Sequence, residues 1–181
     1  VVEKLAKSVH CKHASLVEPT NLRLAPEDVI SYVYAILHCP SYREKYKEFL
    51  NTDFPIIPYP SNKEAFHKAV AMGHRLIGVH CMSSNELSSV ITGYPVDGSN
   101  VVEMVSYAAG RVWINSQQYF DMVPDRSWEM FIGGYQPAQK WLMDRKGHKL
   151  AYDAIMHYQR LVTALSLTIE IMDQIDGLDI V

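Results

Sequence analysis

Between Phe131 and Leu150 the chain reads FIGGYQPAQKWLMDRKGHKL. From Gln136 to Lys149 this run holds four cations, Lys140, Arg145, Lys146 and Lys149, against the single acid Asp144. Clustered cations neutralise phosphates and release counterions, which gives affinity without sequence preference. His148 adds charge as pH falls. Gln136 and Gln139 carry side-chain amides, which can hold an adenine edge in the major groove as Arg holds guanine. Gly133-Gly134 permits a sharp turn or a close backbone approach to a ligand. Tyr135 and Trp141 are flat enough to stack, with Trp141 better read as an anchor to the core. The plain alternative is a solvated helix that happens to be cationic, and composition alone does not separate the two.

Amides gather at a second point. Asn115, Gln117 and Gln118 lie on and just after a run with strand character, as they would in a loop reaching base edges. Arg43, Lys45 and Lys47 form another cationic group, diluted by Glu44 and Glu48. The residues expected to meet a DNA backbone are therefore Lys140, Arg145, Lys146, Lys149, Arg43 and Lys47. Those expected to read bases are Gln136, Gln139, Asn115 and Gln117.

Two rival chemistries have hooks in the sequence. The dipeptides His10-Cys11, His38-Cys39 and His80-Cys81 suggest zinc, which takes imidazole nitrogen and thiolate ligands. Adjacent residues on a helix or strand point apart, so a dipeptide is a poor two-ligand donor. Two of the three lie near expected helix ends, where His suits the local dipole. The other rival is a metal nuclease, from Pro124-Asp125 followed by Asp144-Arg145-Lys146. That chemistry needs carboxylates converging on a metal with the Lys near the attacking water. The plain reading is a helix N-cap and a solvated helix end. A Walker loop, a dinucleotide glycine fingerprint, a Gly-x-Ser-x-Gly elbow and the adenine-methyltransferase Pro-Pro-Tyr/Phe motif are all missing. No catalytic residue, metal ligand or cofactor site is expected within this segment.

These residues need elements to hold them. Pro26, Glu27 and Asp28 suit a helix start, and Val29, Tyr32, Val33, Ile36 and Leu37 follow at helical spacing until Pro40. Ser41-x-x-Glu44 and Ser61-x-x-Glu64 read as capping boxes for two more helices, the first running to about Leu50. The proline-rich DFPIIPYP between them reads as an extended connector. Phe66, Val70, Gly73, Ile77 and His80 form the expected stripe of the third helix. Val90, Ile91 and Tyr94 suggest a short strand, and VVEMVSY and RVWINS a strand pair around Ala108-Ala109-Gly110. Short helices are expected near Ser127–Ile132 and Pro137–Asp144. Ile155, Tyr158, Val162, Leu165, Ile169 and Met172 alternate steps of three and four along a last long helix, which Gly177 stops. That stripe packs within its own domain or, less simply, zips to a second copy.

The fold class expected is α+β: a helical N-terminal part, a small antiparallel sheet, then helices ending in one long helix. The 181 residues are expected to form one domain, with a poorly defined lead-in over 1–23, a helical part over 24–82, the sheet over 83–123 and helices over 124–181. The net charge of −3 excludes an evenly basic coat but leaves room for a basic face. Three cysteines are too few for a disulfide framework, and no apolar run can span a bilayer, so a cytoplasmic location is expected; a monomer is expected as well. The opening Val1-Val2, without Met, leads us to expect a fragment of something longer.

Four blocks in order, YVYAILHCPSYREKYKEFLNTDFPIIPYP, VWINSQQYFDMVP, FIGGYQPAQKWLMDRKG and YDAIMHYQRLVTAL, resemble the C-terminal specificity domain of type ISP restriction-modification enzymes. Related large adenine methyltransferase–helicase polypeptides carry the same segment. The resemblance runs from about Leu24 to Asp176. It implies a target-recognition domain that binds double-stranded DNA alongside upstream helicase-like and adenine-N6 methyltransferase domains. S-adenosylmethionine would be the cofactor of that upstream methyltransferase. Ala151 stands where a capping hydroxyl is expected, and Ile56 where an Arg is expected in the DFPxIP block, removing one possible phosphate contact. The rivals to this reading are a helical module that docks the methyltransferase or a second chain without touching DNA, and the metal nuclease.

Overall fold

The computed structural model describes residues 12–13 and 23–178. They fall into two compact units, one built from the chain up to Cys81 with the residues from Glu170 onward, the other from Met82 to Ile169. The mainly helical α+β class expected from sequence is what is observed.

The first unit opens with a pair of two-residue parallel strands, β1 (Lys12–His13) and β2 (Arg23–Leu24). The expectation of helix and loop over 1–24 otherwise lies outside the described residues. Helix α1 spans Pro26–His38, with the Asp28 carboxylate accepting from the Ala25 backbone N–H at 2.9 Å. Proline at the first turn loses no hydrogen bond, because that N–H has no partner inside a helix.

The next element departs from expectation. Ser41 is not a cap. Helix α2 starts one residue earlier, at Pro40, and ends at Lys45, and a separate turn, α3, covers Lys47–Leu50. The break falls at Tyr46, whose backbone leaves helical values (φ −109°, ψ 17°) while its ring lies 4.9 Å from that of buried Tyr42. The Ser41 N–H is satisfied from far along the chain, by the Asp176 carboxylate at 2.8 Å. The extended connector is as expected, pinned where Tyr42 donates to the Ile56 carbonyl and Tyr32 to the Pro58 carbonyl, each at 3.0 Å. Asn62 rather than Ser61 caps the following helix, α4 (Lys63–His80), accepting from the Ala65 N–H at 2.9 Å. Its buried stripe is Ala65, Phe66, Ala69, Gly73, Leu76 and Val79, with Val70 and Ile77 only half-buried. Gly73 permits the packing of α1 on α4: a Cβ there would lie 1.8 Å from the Ser31 carbonyl oxygen.

The second unit is a small sheet against helices. β3 (Ser106–Ala108) and β4 (Arg111–Trp113) pair antiparallel across the expected turn, Ser106 opposite Trp113 and Ala108 opposite Arg111. A third strand not expected from sequence, β5 (Tyr119–Phe120), pairs on the other side of β4. The expected strand at 90–94 is absent. Only Gly93 joins the sheet region, in a bridge to Asp121. Helices α5 (Asp125–Glu129) and α6 (Pro137–Met143) follow, then the long α7 (Tyr152–Asp176). Val112, Ile114 and Phe120 from the sheet meet Trp128, Ala138, Leu142, Ile155, Tyr158, Val162 and Leu165 in one core. The α7 stripe therefore packs inside its own fold. Beyond Leu165 it steps to Thr168, Ile171 and Ile175, and leaves Ile169 and Met172 half-buried.

Candidate nucleic-acid interface

The Gln136–Lys149 run becomes a helix followed by a braced turn. Pro137 starts α6 after Gln136, Ala138 and Leu142 bury its inner face, Gln136 and Gln139 are half-buried, and Lys140 is exposed. After Met143 the chain turns back. The Arg145 N–H donates to Leu142, Lys146 to Met143 and His148 to Arg145, at 2.9–3.2 Å. Residues 147–150 are then strapped to 100–102 by three backbone hydrogen bonds: Gly147 to Val102, Val102 to His148, and Leu150 to Asn100, at 2.7–3.0 Å. The segment carrying Lys146 and Lys149 is thus fixed backbone.

The four cations are held differently. Lys140 lies 2.8 Å from Asp144, a surface pair one helical turn apart, so part of its charge is already balanced. Arg145 lies flat over the Trp141 ring, its guanidinium carbon 3.6 Å from the centroid, and donates to the Trp141 carbonyl at 2.9 Å. Trp141 packs on Tyr158 of the core at 5.4 Å and stacks on His157 at 5.5 Å, so it anchors the segment as expected. Arg145 is half-buried and keeps other N–H donors for an acceptor outside. Burial, and then the nearby Arg145 and Arg160, lower the His157 pKa, which keeps that ring neutral beside the guanidinium. Lys146 and Lys149 are exposed and, among the described residues, have no ion-pair partner.

The second amide group has another role, and here the sequence expectation fails. Asn115 is 5% exposed and uses its whole amide internally. It donates to the Val101 carbonyl at 3.1 Å and to Gln118 Oε1 at 3.0 Å, and accepts from the Gln117 and Gln118 N–H groups. Gln118, 1% exposed, accepts from the Asn100 N–H and donates to the Val96 carbonyl and Asn100 Oδ1, at 2.7–2.9 Å. Asn115 is therefore no base reader. With Gln118 it buckles the loop onto residues 96–101, the same backbone that straps the Lys146–Lys149 turn. Of that group only Gln117 is exposed.

Arg43 and Lys47 belong to the first unit, exposed on α2 and α3, with Lys47 3.7 Å from Glu44. The acids of the nuclease reading are locally committed. Asp125 accepts from the Tyr107 hydroxyl at the start of α5, and Asp144 pairs with Lys140. Among the described residues no three His, Cys, Asp or Glu side chains sit together as a metal site. His38 and His80 do meet, ring centroids 5.3 Å apart, with the Tyr34 hydroxyl 2.7 Å from His80 Nδ1. Their pKa values are lowered, first by burial. His10-Cys11 lies outside the described residues.

The sequence matches the type ISP C-terminal specificity domain over residues 3–174. The chain belongs to that family. The specificity domain also has solved structural relatives. A nuclease-deletion mutant of the type ISP restriction-modification enzyme LlaGI, in complex with a DNA substrate mimic, is 18% identical with a TM-score of 0.64, over 87% of this chain and 14% of that one. The ATP-dependent type ISP enzyme LlaBIII bound to DNA is 19% identical with a TM-score of 0.63, over 86% of this chain and 11% of its own. A cryoEM structure of a DrdV–DNA complex gives 19% and 0.64, over 97% and 19%. At these identities the likeness establishes a shared fold, and the chain spans under a fifth of each relative. No curated protein matches the sequence. No helix among the described residues of this specificity domain is long and apolar enough to cross a membrane.

Proposed function

We propose that this specificity domain recognises a double-stranded DNA target and thereby directs an adenine-N6 methyltransferase carried elsewhere in a longer restriction-modification polypeptide. The methyl donor, S-adenosylmethionine, would bind in that methyltransferase. Family membership supports this reading, as do relatives of the same fold described in complex with DNA. The observation that carries it is the braced turn, where Arg145, Lys146 and Lys149 stand on fixed backbone with the two lysines unpaired among the described residues. Lysines there position phosphates, while the stacked Arg145 and the amides of Gln136, Gln139 and Gln117 are the base-reading candidates.

The test is the salt dependence of duplex binding. Affinity should fall steeply as salt rises, and Lys146→Ala with Lys149→Ala should each reduce the log–log slope by about 0.9. Binding that ignores salt would remove the reading.

A second reading has an observation of its own in the first unit. Phe54 and Ile56 on the pinned connector are 88% and 65% exposed, a pairing that suits docking of another domain of the same polypeptide. The two readings are compatible, because they use different units.

A further inference from the structure

A short tip, Phe131–Tyr135, precedes α6. Ile132 and Tyr135 face each other in an antiparallel bridge, exchanging backbone hydrogen bonds of 2.9 and 3.3 Å. Gly133 and Gly134 form the two-residue turn between them with φ of +58° and +87°, the left-handed geometry that favours glycine. A Cβ on Gly134 would meet nothing within 4 Å, and one on Gly133 would meet only the Tyr135 ring, at 3.8 Å, so the turn touches no other part of the described chain. Three large apolar side chains ride on it, with Phe131 66%, Ile132 43% and Tyr135 47% exposed. Directly opposed residues share a face, so Ile132 and Tyr135 point one way and Phe131, one residue earlier, the other.

The base of the tip is firm on both sides. Met130 packs on the core of the second unit, and Ala138, just past Pro137, is fully buried. A thin, glycine-ended projection with apolar flanks, mounted on fixed structure, has the form of a wedge. Its setting points to what it enters. The cationic run starts immediately behind it, and α6, about 10 Å long at 1.5 Å per residue, is the only element between the tip and the Arg145–Lys149 turn. Cations that grip phosphates hold a polyanion against the tip, and apolar side chains beside such contacts unstack base steps.

We propose that the Phe131–Tyr135 tip is a wedge that enters the base stack of the bound duplex and opens one step. This rests on the DNA reading above. Opening a step lowers what an adenine must overcome to leave the helix for methylation.

A wedge binds best where the stack is already broken. The intact chain is titrated by fluorescence anisotropy against two short duplexes of the same sequence, one fully paired and one with a central mismatch. The wild-type chain should prefer the mismatched duplex by about tenfold, a fraction of the unstacking cost. The double variant Phe131→Ala, Tyr135→Ala should lose that preference and keep the salt slope on paired DNA. Both side chains are exposed, so an unchanged circular dichroism spectrum should accompany the change. Equal wild-type affinity for the two duplexes overturns the wedge, as does a preference that survives the double variant or an equal loss on both duplexes. Salt-dependent binding in those cases leaves the DNA reading standing. Absence of salt-dependent binding to either duplex overturns both.

Discussion

Two parts of the second unit carry side-chain amides beside a turn, and they are put to opposite uses. At 115–118 the Asn115 and Gln118 amides are buried, and every side-chain donor and acceptor of the two has a protein partner, while Gln117 between them is exposed. At 136–139 the amides are half-buried at the start of a helix whose inner face is already filled by Ala138 and Leu142. Residue type alone does not separate a buckle from a reader. What separates them is whether the hydrogen-bonding capacity is spent inside the fold, and burial decides that. The two parts are also joined, since the buckle holds residues 96–101 and those hold the turn that carries Lys149.

The largest effect expected from this contrast is on stability. Gln118→Ala strips partners from Val96, Asn100 and Asn115 at once and should cost about 3 kcal/mol in denaturant unfolding. Asn115→Ala should cost about 2 kcal/mol on the same grounds. In both, the salt slope of DNA binding by the folded protein should stay as in wild type. A reduced slope for Asn115→Ala at unchanged stability would reverse the assignment of the two regions.

Gln136→Ala and Gln139→Ala should do the opposite. Unfolding should move by less than about 0.5 kcal/mol, as for surface changes elsewhere. Discrimination between a duplex selected from a random pool and its single-base variants should fall by about 1 kcal/mol or more at one position. If both variants select and bind as wild type does, these amides are bystanders.

The smallest effect is with pH. Amides do not titrate, so acidification should spare the buckle and act through His157, whose charged form is disfavoured first by burial and then by Arg145 and Arg160. Its folded pKa lies below the unfolded value. The stability it contributes is therefore complete above the ordinary histidine range and is lost as pH falls through that range toward the folded pKa. Tryptophan fluorescence should report a transition with a midpoint below the usual histidine value, from the Trp141 ring stacked on His157, and His157→Gln should remove it.

The pattern of legibility follows from how local each signal is. Helices α1, α4, α6 and α7 and the β3–β4 turn were legible because proline, glycine and apolar spacing act within a few residues. The Ser41 cap failed for the reverse reason. The group that satisfies its N–H lies 135 positions away, and no window along the chain contains both. The break at Tyr46 and the third strand depend on what Tyr42 and Val112 pack against and pair with, which is tertiary information. At the candidate interface, charge clustering drew attention to 136–149, but charge could not show that Lys140 is already paired or that Arg145 lies on a ring. Asn115 misled because a polar residue after a strand looks the same whether it turns inward or outward.

Asp176 sits in the final turn of α7, yet its carboxylate closes the first turn of α2, its pKa lowered by the Ser41 hydrogen bonds and, more weakly, the Cys39 thiol. Anyone grafting this domain onto another enzyme to exchange specificity inherits a rule from that contact. A junction placed ahead of residue 176 would leave the start of α2 without that acceptor, whereas a junction beyond it would leave the clasp whole.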